Sequence, residues 1–98
     1  MSSAQLQCVD NTLSLSGLID HTSVVSLLQQ GQQFVSSADP QELIVDWAQV
    51  AYANSAALAM VLQWTRQAQA AGKSLRSQNV PEFLVQLARV SQLEFLFT

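Results

Sequence analysis

A chain of 98 residues with 49% hydrophobic and 11% charged positions holds enough apolar material for a core. It leaves little room for a second domain and is unlike a disordered polypeptide. The net charge is −3, and the four basic residues, Arg66, Lys73, Arg76 and Arg89, are scattered, so no electropositive stripe exists to displace counterions from a nucleic acid. The surface must rely on Gln and Ser, and a surface so poor in charge is weakly defended against association, which points to a protein that works bound to another.

The expectation is therefore a single domain over residues 1–98. The first twenty residues show no basic segment followed by an apolar one, and no later apolar run reaches the ~18 residues of a membrane span, so a cytosolic protein is expected. Leu6-Gln7-Cys8 resembles a lipoprotein acceptor site only superficially, because no apolar segment precedes it. With one cysteine there is no intrachain disulfide, and Cys8 reads as a small buried residue in a strand.

Segments 5–9, QLQCV, and 12–18, TLSLSGL, alternate polar and apolar around Asp10-Asn11 and predict a β-hairpin. Asp20, His21 or Thr22 can cap a helix over roughly 22–36, with Val24, Val25, Leu27, Leu28 and Phe34 on its apolar face and four glutamines on its wet one; Gly31 weakens it. Asp39-Pro40 marks a turn, and residues 42–46, ELIVD, suit a strand buried on both faces. A helix starting near Ser55 should run to Ala71 and stop at Gly72. Residues 73–78 predict a short strand. Pro81 suits the first turn of a helix over 81–90 with Phe83, Leu84, Leu87, Ala88 and Val90 inward, and 93–97, LEFLF, is a short strand or a final apolar turn. The order ββαβαβα indicates an α/β sheet partly covered by helices.

The chemistry of most enzyme classes is missing from this chain. It holds one His and one Cys, with no HExxH, P-loop or GxGxxG. A nucleophilic Ser55 would need a base, and the only imidazole, His21, stands at a predicted helix start, where a surface or capping role suits it better. The carboxylates sit mostly at element boundaries, where turns and helix starts favour them. No catalytic residue, metal ligand or cofactor site is expected.

From Leu43 the sequence reads LIVDWAQVAYANSAALAMVLQWTRQAQAAG: an apolar strand ending in Asp46, a loop with an anchor at Val50, the small polar pair Asn54-Ser55, and an apolar helix ending in Gly. Asn and Ser both cap helices well, but a cap needs only one of them. The small residues Ala56 and Ala57 that follow are the pattern expected where another surface approaches the helix end closely.

This arrangement resembles the signature of STAS domains (sulfate transporter and anti-sigma factor antagonist), roughly D-[LF]-S-x-[VL]-x-x-[ILV]-D-[ST]-[SG]-G-L between strand and helix. Asp46 matches the strand-end Asp, Val50 the loop anchor, Ala53 the apolar residue before the motif, Asn54 the motif Asp, Ser55 the phosphorylatable or partner-contacting Ser/Thr, and Leu58 the Leu that opens the buried helix face. TLSLSGLID, 12–20, is similar to the family's second strand leading into its first helix. The chain departs from the pattern at Asn54 for Asp, at Ala56 and Ala57 where Gly is common, and at Trp47-Ala48 for Leu-Ser.

Within the family, the stand-alone size and the form L-x-L-S-G-x-[IL]-D with a relaxed motif resemble the small STAS subunit of Mla-type phospholipid ABC transporters. That resemblance implies a mixed sheet of four to five strands partly covered by about three helices. It implies a non-catalytic cytoplasmic subunit, peripheral to the inner membrane through its complex, that binds and supports the transporter's ATPase in a system maintaining outer-membrane lipid asymmetry. The alternative is an anti-sigma factor antagonist whose Ser55 is phosphorylated by a partner kinase; Asn54 counts against it.

On a helical wheel, Leu58, Val61, Leu62, Thr65 and Ala68 share one face, Ala56, Met60, Gln63 and Gln67 lie opposite, and Trp64 is marginal. Met60 and Trp64 toward solvent would suit a protein interface, although Trp64 can equally pack under the last helix. Trp47 and Tyr52 either form an aromatic rim around Ser55 or close the loop over the core. The expected partner-binding set is thus Ser55 with Asn54, Ala56, Tyr52, Trp47, Met60, Gln63 and Trp64.

Overall fold

A computed structural model describes residues 4–37 and 42–97. Strands β1 (Gln5–Val9) and β2 (Thr12–Ile19) form the expected hairpin, paired from Gln5↔Ser16 to Val9↔Thr12. Asp10 takes a left-handed φ of 54° in the turn, a conformation Asp tolerates better than most residues. Asn11 ties the turn to the next strand: its carbonyl accepts from the Ile44 N–H at 2.9 Å and its Nδ2 donates to the Glu42 carbonyl at 3.0 Å.

Helix α1 (Val24–Ser37) follows a turn held by Asp20, whose Oδ1 accepts from the N–H groups of Thr22 and Ser23 at 3.0 and 3.1 Å, while the Ser23 hydroxyl accepts the Asp20 N–H at 3.0 Å. This is reciprocal capping, and Asp20 is the cap among the three residues proposed. The expected Asp39-Pro40 turn lies outside the described residues.

Strand β3 (Glu42–Ala53) differs from expectation in two ways. Its early residues alternate, with Leu43, Val45 and Trp47 buried and Ile44 and Asp46 half-buried, so one face is covered and the other is open. It also runs on through the segment read as a loop. Between Ser14↔Asp46 and Ser16↔Gln49, and again between Gly17↔Val50 and Leu18↔Tyr52, β3 uses one residue more than β2. Polar and small residues that look like a loop are a strand with two bulges.

Helix α2 (Ser55–Ala70) and strand β4 (Ser74–Gln78) match the expected elements. The helix closes as predicted at Gly72, φ 76°, with the Lys73 N–H bonded to the Ala68 carbonyl at 2.8 Å and the Gly72 N–H to Gln69 at 3.1 Å, the hydrogen-bond pair of a Schellman motif. Helix α3 (Glu82–Val90) and a 3₁₀ turn (Glu94–Phe97) complete the described chain. Phe83 and Val90, expected inward, are 46% and 81% exposed, whereas Leu84 and Ala88 are buried. The helix buries a narrow stripe, not a broad face.

The sheet order is β1-β2-β3-β4, with β1 antiparallel to β2 and the remaining pairs parallel. Leu13, Leu15, Leu43, Val45 and Trp47 join Leu27, Val35, Leu58, Val61, Leu84 and Leu96 in one core. Extents of 31 × 31 × 20 Å suit a sheet with one layer of helices. Cys8, expected buried, is exposed because it lies in the sheet's edge strand near the hairpin turn.

Candidate functional site

The start of α2 lies at the C-terminal ends of β2 and β3, held there by the Asn54 N–H on the Ile19 carbonyl at 3.3 Å. Asn54 is the cap. Its backbone is extended, φ −116° and ψ −164°, and its Oδ1 accepts the Ala56 N–H at 2.9 Å, while its carbonyl accepts the Ala57 N–H at 2.9 Å. Ser55 is therefore free of capping duty and stands exposed at the first helical position.

The expected set divides by burial. Ser55, Gln63 and Tyr52 are exposed, Tyr52 by 49%, and Asn54 and Ala56 are half-buried, so these five reach the surface. Trp47, Met60 and Trp64 do not; each is at most 1% exposed. Trp47 takes the second of its two proposed places, closing the core, where its ring meets Phe97 edge-on at 6.0 Å. Ala57 is buried as well, so its small size serves core packing and only Ala56 keeps the helix start low.

The wheel puts Met60 toward solvent and leaves Trp64 between the margin and the last helix because it allows α2 one buried face. The helix has two neighbours, the sheet beneath it and α1 beside it. Trp64 lies against α1, with its Nε1–H donating to the Leu28 carbonyl at 3.2 Å. Further along, Gln67 Nε2 donates to the Gln32 carbonyl at 3.0 Å and Lys73 Nζ to the Val35 carbonyl at 2.7 Å. Carbonyls 28, 32 and 35 follow the i, i+4, i+7 row of α1, so donors from α2 and its exit line one side of that helix.

Toward the helix starts the seam opens into a groove of about 240 Å³ lined by Val24, Leu28, Ala56, Ala59, Met60 and Gln63. Val24, Leu28 and Ala59 were not anticipated here. The parallel order of β2, β3 and β4 sets α1 beside α2, and that adjacency is the only sequence signal pointing to them.

Two carboxylates flank the region. Asp20 is held below its ordinary value chiefly by the Thr22 hydroxyl and the Ser23 N–H, and Asp46 chiefly by the Asn79 amide and the Ala48 N–H. Asp20 spends its charge on its own turn, and Asp46 on the β3 bulge and on Asn79 just after β4. Among the described residues, no group of three or more His, Cys, Asp or Glu is placed to hold a metal ion, and no helix is long and apolar enough to cross a membrane.

No curated protein sequence matches the chain. Among solved structures, it is similar to a chain of the Acinetobacter MlaFEDB complex in its ATP-bound Vtrans2 conformation, with 30% identity over 90% of this chain and 92% of that one and a TM-score of 0.78. It shares the fold of the Bacillus anti-sigma factor antagonist SpoIIAA in its unphosphorylated form, with 16% identity over 98% of this chain and 86% of that one and a TM-score of 0.77. An anti-sigma factor antagonist from Mycobacterium paratuberculosis has 17% identity over 97% of this chain and 81% of that one, with a TM-score of 0.71. The family model described as "Mlab, STAS domain" matches residues 2–98, and the chain belongs to this MlaB-type STAS domain family.

Proposed function

We propose that this chain is a non-catalytic STAS subunit that docks the start of α2 onto the ATPase of an ABC-type phospholipid transport complex of the Mla kind. In that role it supports the ATPase and, through it, outer-membrane lipid asymmetry, and it sits at the cytoplasmic side of the inner membrane through its partner. The observation that carries this reading is the 30% identity over nine-tenths of the chain to a chain of an ATP-bound MlaFEDB complex. The site supports it: an exposed Ser55 beside a half-buried Ala56 offers a low, uncharged landing surface.

A second reading, an anti-sigma factor antagonist switched by phosphorylation of Ser55, draws on the exposed hydroxyl at the positive end of α2. The basic side chains do not favour it. Arg76 pairs with Glu42 and Arg89 with Glu94, Lys73 reaches the end of α1, and Arg66 stands well along α2. None of them is offered to a phosphate on Ser55.

Ser55→Arg tests the docking site. The side chain points outward, so folding should survive with a stability loss on the order of 1 kcal/mol, from a cation at the positive helix end. Capture of the ATPase subunit should fall far more, because a bulky cation obstructs the apposed surface. Thermal unfolding and pull-down read the two effects. A folded variant that binds fully would move the docking site elsewhere, and recovery of an anti-sigma kinase by the wild type would favour the second reading.

A further inference from the structure

The seam between α1 and α2 changes character along its length. In its C-terminal part the helices are tied by Trp64, Gln67 and Lys73 on the carbonyls of α1. In its N-terminal part they separate around the groove of about 240 Å³. No lining residue of that groove is charged, and Gln63 alone brings a polar side chain. Water entering it finds few hydrogen-bond partners, so an apolar group would displace that water readily. Ala56 and Ala59 keep the α2 wall low, half-buried Val24 and Leu28 supply the apolar surface, and buried Met60 lies at the bottom. The groove runs directly behind Ser55, because Ala56 is both the next residue of the helix and part of its wall. Exposed Leu18 and Tyr52 stand near the ends of β2 and β3 and exposed Val25 in the first turn of α1, so further apolar side chains lie at this end of the molecule.

We propose that this groove receives one large apolar side chain, of Leu, Met or Phe size, from the ATPase partner, seated beside the partner's contact at Ser55. This rests on the docking reading above and deepens it by naming the anchor. Interfaces concentrate their binding energy in such central apolar anchors, with the polar contacts around them supplying fit. A phospholipid is a poorer occupant, since the groove has no cation for a headgroup. A second copy could offer exposed Phe83 or Phe95, an occupant that the assembly measurement below tests directly.

The test measures affinity for the ATPase subunit with the wild type, Ala59→Trp, Val24→Asp, Ser55→Arg and Gln29→Trp. Ala59 is exposed, so its indole plugs the groove from outside without entering the core. Val24 opens α1, where a carboxylate suits the helix dipole, so Val24→Asp spoils the apolar wall by a different route and guards against misfolding of the first variant. Both should weaken binding at least about tenfold with unchanged far-UV circular dichroism. Gln29→Trp, in the polar part of the seam, should bind as the wild type does.

If Ala59→Trp and Val24→Asp bind normally while Ser55→Arg fails, the groove proposal falls and the docking reading stands. A wild type that does not bind the ATPase at all overturns both. Concentration-dependent assembly of the chain alone that Ala59→Trp abolishes would give the groove to a second copy. Flotation with phosphatidylethanolamine–phosphatidylglycerol vesicles that Ala59→Trp abolishes would give it to lipid. Either result overturns the proposal.

Discussion

A methyl group added at Gly31 would overlap the indole of Trp64, which is fully buried. The glycine that weakens α1 as a helix is thus what lets α1 approach α2 closely enough for Trp64 to reach the Leu28 carbonyl. Two effects of Gly31→Ala oppose each other. Ala is the better helix former by about 1 kcal/mol, whereas overpacking a filled core costs about 1–3 kcal/mol and the indole has no open side to retreat into. The clash should win, with a net loss of up to about 2 kcal/mol in denaturant unfolding. In a Trp64→Leu background the same change should become neutral or stabilising, because the obstacle is gone and only the helix preference remains. A Gly31→Ala variant that gains stability beside Trp64 would show that the two helices can part freely. This pair also marks a limit of sequence reading. Gly31 and Trp64 each have an ordinary local meaning, and their joint meaning exists only once α1 lies beside α2. The cap is the opposite case: Asn54 and Gly72 were legible because capping is local chemistry.

At the scale of elements, the bulged stretch of β3 is held by one carboxylate. Asp46 Oδ1 accepts from the Ala48 N–H and from Asn79 Nδ2, both at 3.0 Å, and so links the first bulge to the residue just after β4. These donors hold its pKa below the ordinary value of 3.8, with Asn79 the larger cause. A carboxylate bound this way favours the folded state in its charged form. Its contribution is fully present above the unfolded value, and it disappears as the pH falls through the lower folded value. Asp46→Asn should therefore be less stable than the wild type at pH 7, and the difference should shrink toward zero as the pH drops below 3.8 into the acid range. Chemical denaturation at pH 7, 5 and 3 measures it; a difference that stays constant would mean the charge is irrelevant to the bulge. The strand containing Asp46 was legible as far as its apolar residues ran. Beyond Trp47 the bulges spoil the period of two on which recognition of a strand depends, and AQVAYA then looks like a loop.

For the whole molecule, the two tryptophans report on different parts of the same core. Trp47 on β3 meets Phe97 of the final turn, and Trp64 on α2 meets α1, yet both belong to the single cluster that runs from Leu13 to Leu96. If that cluster is one cooperative unit, no part of it can lose its packing while the rest stays folded. Single-tryptophan variants make the test direct. Trp47→Phe keeps an aromatic ring against Phe97 and deletes an indole N–H that is buried without a hydrogen-bond partner, so it should be tolerated. Trp64→Phe deletes the bond to Leu28 and should cost about 1 kcal/mol or somewhat more. Their unfolding midpoints should therefore differ from each other. Within each variant, however, the fluorescence of the remaining tryptophan and the far-UV circular dichroism should give one midpoint, with no metal or cofactor added. Separated midpoints in either variant would divide the chain into an α1–α2 part and a part around β3 and the C-terminal turn, and the proposal of a single domain would fall with them.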